Sequence, residues 1–130
     1  MDQTPEQTLS LDLPCDRSAP GAIRDAIGRM GGMDGLAGDV ALVAGELVTN
    51  AVLHSGGSSQ DMVEVTVFVE PGRVRVSVHD PGRSGQSAQP RHFADDAIGG
   101  WGLQIVDRIA LRWGAERSEG YRVWAEMATD

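Results

Sequence analysis

The sequence predicts an α+β two-layer sandwich: a mixed, mostly antiparallel sheet with about three helices on one face. Two hairpin patterns carry this expectation, because a tight turn between strands forces antiparallel pairing. The element order carries it too: strand, two helices, hairpin, long loop, helix, hairpin. That order lacks the strand–helix alternation of a doubly wound parallel sheet, so a helix layer on one sheet face is the economical solution.

The elements follow in turn. Thr8–Leu13 alternates Leu9, Leu11 and Leu13 with Ser10 and Asp12, the period of a half-buried strand. Asp16 or Ser18 can cap a helix running to about Met30, with Pro20 in its first turn and Gly31–Gly32 ending it. Asp34 to about Ser55 is the strongest helical segment, with Val40, Val43, Ala44, Leu47, Ala51 and Val52 at three- and four-residue spacing. Met62–Glu70 and Arg73–Asp80 read as a hairpin across the Pro71–Gly72 turn, each strand alternating valine with polar residues. Residues 81–99 are rich in Gly, Ser, Pro and Gln and form a long loop, the kind that often serves as a lid. Gly102–Leu111 reads as a helix, and Arg112–Arg117 with Tyr121–Met127 as a closing hairpin around Glu119–Gly120. Residues 1–7 are polar and expected to be flexible, leaving 8–130 as one domain.

Composition narrows the function classes. The chain has 130 residues, suited to one core, and a net charge of -8. All 11 of its basic residues are Arg. Such acidity repels nucleic-acid phosphates and points away from direct DNA or RNA binding, and towards a partner with a basic patch. Cys15 is the single cysteine, which rules out an internal disulfide and a Cys-rich metal site. No apolar run approaches the ~20 residues of a membrane span, and MDQTPEQTLS is not a signal pattern. A cytoplasmic protein is expected.

Three constellations could carry chemistry. Glu46, Asn50 and His54 recur every four residues, one polar stripe on a mostly apolar helix. A carboxylate and a carboxamide there can hold a hard cation and orient a hydroxyl, or form an ordinary solvent-facing stripe. Asp80-Pro81-Gly82 ends a strand where glycine lets a ligand approach the backbone, or makes an ordinary turn. Gly99-Gly100-Trp101-Gly102-Leu103 opens a helix whose free N–H groups and dipole attract phosphate, or is a loop-to-helix joint. It is neither a Walker motif, lacking Gly-Lys-Ser/Thr, nor a Rossmann fingerprint, because it follows a loop.

In combination, order and interval, these segments resemble the GHKL ATPase superfamily, whose ATP site is built on the Bergerat fold. Glu46-Leu-Val-Thr-Asn50-Ala51-Val-Leu-His54 is similar to its N box, Asp80-Pro-Gly82 to its G1 box and Gly100-Trp-Gly102-Leu103 to its G2 box. The resemblance covers about residues 8–128. It implies ATP and Mg2+ as cofactors, with Asn50 as metal ligand and Glu46 as general base. It implies that Asp80 accepts a hydrogen bond from the adenine amino group, that Gly82 lets the base lie close, and that Gly100, Gly102 and Leu103 lie by the phosphates. Residues 81–99 would be the ATP lid, in which Arg83 and Arg91 either reach phosphate or stay solvated. His54 stands near the metal region or is a helix-end structural residue. Two positions depart from the pattern. Ser84 holds the place of the second G1 glycine, with Gly85 next, and Val123, Trp124 and Ala125 stand where the last strand often has Thr or Ser.

With neither a phosphorylatable dimerisation helix nor a transducer domain in the sequence, the chain is most similar to RsbW-type anti-sigma factor serine/threonine kinases. The resemblance implies phosphoryl transfer to an anti-anti-sigma (antagonist) protein, restraint of a sigma factor, and pairing as a homodimer. The alternative is a non-catalytic ATP-binding module that acts by protein–protein binding.

Overall fold

Strand β1 (Gln7–Pro14) opens the computed structural model, which describes residues 6–33, 35–54, 62–80, 104–117 and 120–128. Helix α1 (Ala19–Gly28) follows, then α2 (Ala37–His54), β2 (Met62–Glu70) and β3 (Arg73–Asp80). Residues 104–109 are helical, and β4 (Arg112–Arg117) and β5 (Tyr121–Ala128) close the chain. The strand order is β1-β2-β3-β5-β4, and all four described pairings are antiparallel. The expected α+β sandwich is therefore present, with both hairpins where the sequence put them.

The alternation of the strands decides which face is covered. Leu13 on β1, Val63, Val65, Val67 and Val69 on β2, Val74, Val76 and Val78 on β3, and Val123, Ala125 and Met127 on β5 all turn inward and are buried. Against them pack Ile23 and Ile27 of α1 and Val40, Val43, Ala44, Leu47 and Val48 of α2. Each such Val, Leu, Ile or Met side chain is worth about 1.5–3 kcal/mol on burial. A core rich in β-branched residues thus joins the sheet to the helices.

Helix boundaries shift slightly from the sequence reading. At α1, Ser18 occupies the N-cap position without a side-chain cap bond. Instead the Asp16 carboxylate accepts the Ser18 N–H at 2.8 Å and also its hydroxyl. Those Ser18 bonds hold the Asp16 carboxyl below its ordinary pKa. The Arg29 N–H donates to the Ala26 carbonyl at 3.1 Å and the Met30 N–H to the Ile27 carbonyl at 3.0 Å, closing the helix before Gly32 takes a positive φ of 83°. Helix α2 begins at Ala37, after Gly35 at φ 85°. The segment after the long loop ends its helix at residue 109, because the Leu111 N–H donates to the Glu126 carbonyl at 2.7 Å and enters the sheet. Among the described residues no helix is long and apolar enough to cross a membrane.

Candidate functional site

Helix α2 supplies the first part of the site. Its buried face runs through Val40, Val43, Ala44, Leu47 and Val48 and lies mainly across β3. Asn50 follows Val43 and Leu47 at helical spacing, so it extends the edge of that face. It is 3% exposed. The solvent-facing alternative for the stripe is therefore excluded at Asn50. Its Nδ2 has no hydrogen-bond partner among the described residues. A buried donor without an acceptor costs about 1–3 kcal/mol, so this amide is a strained choice for a core and a reasonable one for a ligand site. One turn earlier Glu46 is half-buried, and Leu42 and Leu53 lie exposed on the same flank. The side chain of His54 lies outside the described residues, although its backbone is the last turn of α2.

Strand β3 supplies the second part. Asp80 is its last residue, half-buried and in register with Tyr121 of β5. The strand under α2 thus ends in a carboxylate, with Pro81 and Gly82 next in the sequence. Gly82, Gly100, Gly102 and Leu103 lie outside the described residues, as do Arg83, Arg91 and the lid expected over 81–99. What the structure describes of the last motif is the helix that follows it. Val106 is fully buried, and the Trp113 indole Nε1 donates to Asp107 Oδ1 at 3.0 Å. These contacts pin residues 104–109 to the core and to β4.

The last-strand residues Val123, Trp124 and Ala125, to which the sequence assigns no adenine contact, divide between the two sheet faces. Val123 and Ala125 are buried in the core, while Trp124 turns to the opposite sheet face, over Gly114. Trp124 is thereby removed from the helix side, where α2 and its carboxamide stand. The sequence reading also passed over Glu126, a buried carboxylate bonded to Arg75 and Arg112 at 2.7 Å each. Its signal was register: Glu126 stands opposite both arginines on neighbouring strands. The arginine bonds outweigh burial and hold its pKa below the ordinary carboxylate value.

Helix α2 thus sets a carboxamide and a carboxylate over an antiparallel sheet, and β3 ends in an aspartate. Residues 17–126 match the family model of the histidine kinase-like ATPase domain, and the chain belongs to that family. No curated protein matches it in sequence. Among solved structures, it is similar to the RsbU and RsbW domains of Rv1364c from Mycobacterium tuberculosis, with TM-score 0.62 and 20% identity. The likeness covers 94% of this chain and 32% of that one, so this chain spans about a third of the length of the protein it resembles. At that identity the likeness is one of fold.

Proposed function

We propose that the chain is an ATP-binding regulatory protein of the anti-sigma kinase type, transferring the γ-phosphoryl group of ATP to a Ser or Thr of an antagonist protein. The observation that carries the reading is the buried, unpartnered Asn50 amide one turn from Glu46. A phosphate oxygen supplies the acceptor that Nδ2 lacks, and Oδ1 of the same amide is a hard-cation ligand. Among the described residues no three His, Cys, Asp or Glu side chains group to hold a metal. Mg2+ takes few protein ligands and completes its shell with phosphate oxygens and waters.

Asn50 would hold the Mg2+, which would neutralise phosphate charge during transfer. Glu46 accepts the proton of the substrate hydroxyl as its oxygen bonds to the γ-phosphorus. The bond from that phosphorus to the bridging oxygen breaks, and ADP leaves. Asp80 accepts from the adenine amino group and sets the register of the nucleotide. Gly82 lets the base lie close, and Gly100, Gly102 and Leu103 border the phosphates. In this reading the chain works in the cytoplasm, pairs as a homodimer, and restrains a sigma factor when its antagonist is phosphorylated. Phosphoryl transfer to a candidate antagonist, followed with labelled ATP, tests it. Glu46→Gln should lower transfer by about 100-fold or more while leaving ATP affinity within about two-fold. Equal transfer by both proteins would remove Glu46 from the chemistry.

A second reading, a non-catalytic ATP-binding module, is favoured by Ser84 in place of the second G1 glycine. Tight ATP binding without transfer to any antagonist distinguishes it.

A further inference from the structure

On the sheet face turned away from the helices, the half formed by β3, β5 and β4 has a charge pattern opposite to that of the whole chain. This half carries Arg73, Arg75, Arg112 and Arg122, with Glu126 and Glu116 as the only acidic residues among the described outward positions of these three strands. Four arginines against these two glutamates, with Glu70 of β2 at the edge 3.6 Å from Arg73, leave the patch net positive on a chain of net charge -8. The arginine side chains are 49%, 41%, 64% and 35% exposed in that order.

The patch is also pre-organised. Arg75 Nη1 and Arg112 Nε each donate to Glu126 at 2.7 Å, and Arg73 Nη1 lies 3.9 Å from the same carboxylate. The Arg75 guanidinium stacks 4.5 Å from the centroid of Trp124. The indole has room because Gly114 lies beneath it: a Cβ there would meet Cζ2 at 2.9 Å. Arg122 is held by Ser77, to which its Nη1 donates at 3.1 Å. Side chains already fixed lose little entropy on binding, and Arg and Trp are the residues that dominate interface energetics.

We infer that this Arg–Trp face of β3, β5 and β4 is a docking surface for an acidic segment of a protein partner. It is a surface independent of the nucleotide site, which belongs to the helix side. Charge decides the occupant. A short acidic segment interacts with the charges within about a Debye length, roughly 8–10 Å, and so chiefly with the arginines. A second copy seated with its arginine half on this one brings like charges together. A nucleic acid runs past the patch and meets the acidic remainder. On the same face Asp12, Glu64 and Glu70 of β1 and β2 confine an acidic ligand to the arginine half. Three strands at about 4.8 Å spacing and four residues at about 3.4 Å rise give a patch of roughly 10 by 14 Å, the length of four to five extended residues.

The probe is fluorescein-labelled hexaglutamate, titrated with the whole chain and read by anisotropy, with labelled hexaglycine and six-nucleotide oligothymidine as comparators. Saturable hexaglutamate binding at 50 mM salt is expected, weakened about ten-fold at 300 mM. The double variant Arg112→Gln, Arg122→Gln should weaken it about ten-fold, and Arg122→Glu, which leaves the Glu126 network intact, at least as much. Arg17→Gln, near α1, should bind as wild type. Circular dichroism checks that each variant is folded. The inference is overturned if hexaglutamate binds no better than hexaglycine, if oligothymidine binds more tightly, or if Arg122→Glu binds unchanged. It is equally overturned if sedimentation shows a dimer that Arg122→Glu dissociates, since a second copy would then cover the face.

Discussion

Replacing Glu126 by Gln should destabilise the protein by an amount set by its two short bonds. Both are 2.7 Å charge-assisted contacts to a carboxylate that is 3% exposed. Such bonds are worth about 1.5–3 kcal/mol where the partners are also buried. Here Arg75 and Arg112 are 41% and 64% exposed, so water takes over much of their solvation. That trims each bond to about 0.5–1 kcal/mol, and the pair to about 1–2 kcal/mol. At about 2.1 cal/mol/K per residue, the 130-residue chain has an unfolding entropy near 270 cal/mol/K, so Tm should fall by about 4–7 °C. The effect is also pH-dependent. Because the folded pKa of Glu126 is lowered, chiefly by Arg112, its contribution is present above the unfolded value of 4.5 and is lost as pH falls through the folded value. Urea unfolding of both proteins between pH 7 and pH 3.5 measures this. The gap in midpoint should be full at pH 7 and narrow below about pH 4.5. Equal midpoints at pH 7, or a gap that widens towards acid, would refute the reasoning.

Other perturbations test other links. Gly114→Val places a Cβ where the Trp124 indole lies, at 2.9 Å, and should cost about 1–3 kcal/mol by urea unfolding. A glycine tolerant of that change would mean the indole moves freely. Leu47→Ala, in the centre of the α2 face, should cost about 2–5 kcal/mol. Asn50→Ala also removes buried atoms, but it deletes an unpartnered donor. Its cost without ligand should therefore stay within about 1 kcal/mol, and a loss as large as that of Leu47→Ala would show that Asn50 is structural.

Much of this was legible in the sequence, for identifiable reasons. The hairpin Met62–Glu70 and Arg73–Asp80 was read to the residue, because strict valine alternation and a Pro-Gly turn leave one register. The helix ends were less legible. Asp34 suggested a start for α2, yet the helix begins after Gly35, whose positive φ breaks the chain direction. The end of the third helix was set by a tertiary bond, Leu111 to Glu126, which no local pattern encodes. Glu46 and Asn50 were found by spacing, but the burial of Asn50 was not, since only the packing of α2 across the sheet decides it. The acidic composition pointed to a basic partner, and the local clustering of arginines across three strands was hidden until their register was known. Gly82, Gly100, Gly102 and Leu103 stand on motif and family alone.

In the proposed function, Asn50 on α2 and Asp80 at the end of β3 share one nucleotide. Calorimetric titration of ATP, with and without Mg2+, into wild type, Asp80→Asn and Asn50→Ala tests it most directly. Wild type should bind in the micromolar range, Asp80→Asn should bind at least ten-fold more weakly, as loss of a buried charged hydrogen bond requires, and Asn50→Ala should bind without Mg2+ dependence. No heat at millimolar ATP, or equal affinity in Asp80→Asn, would contradict the site and leave the fold without its nucleotide.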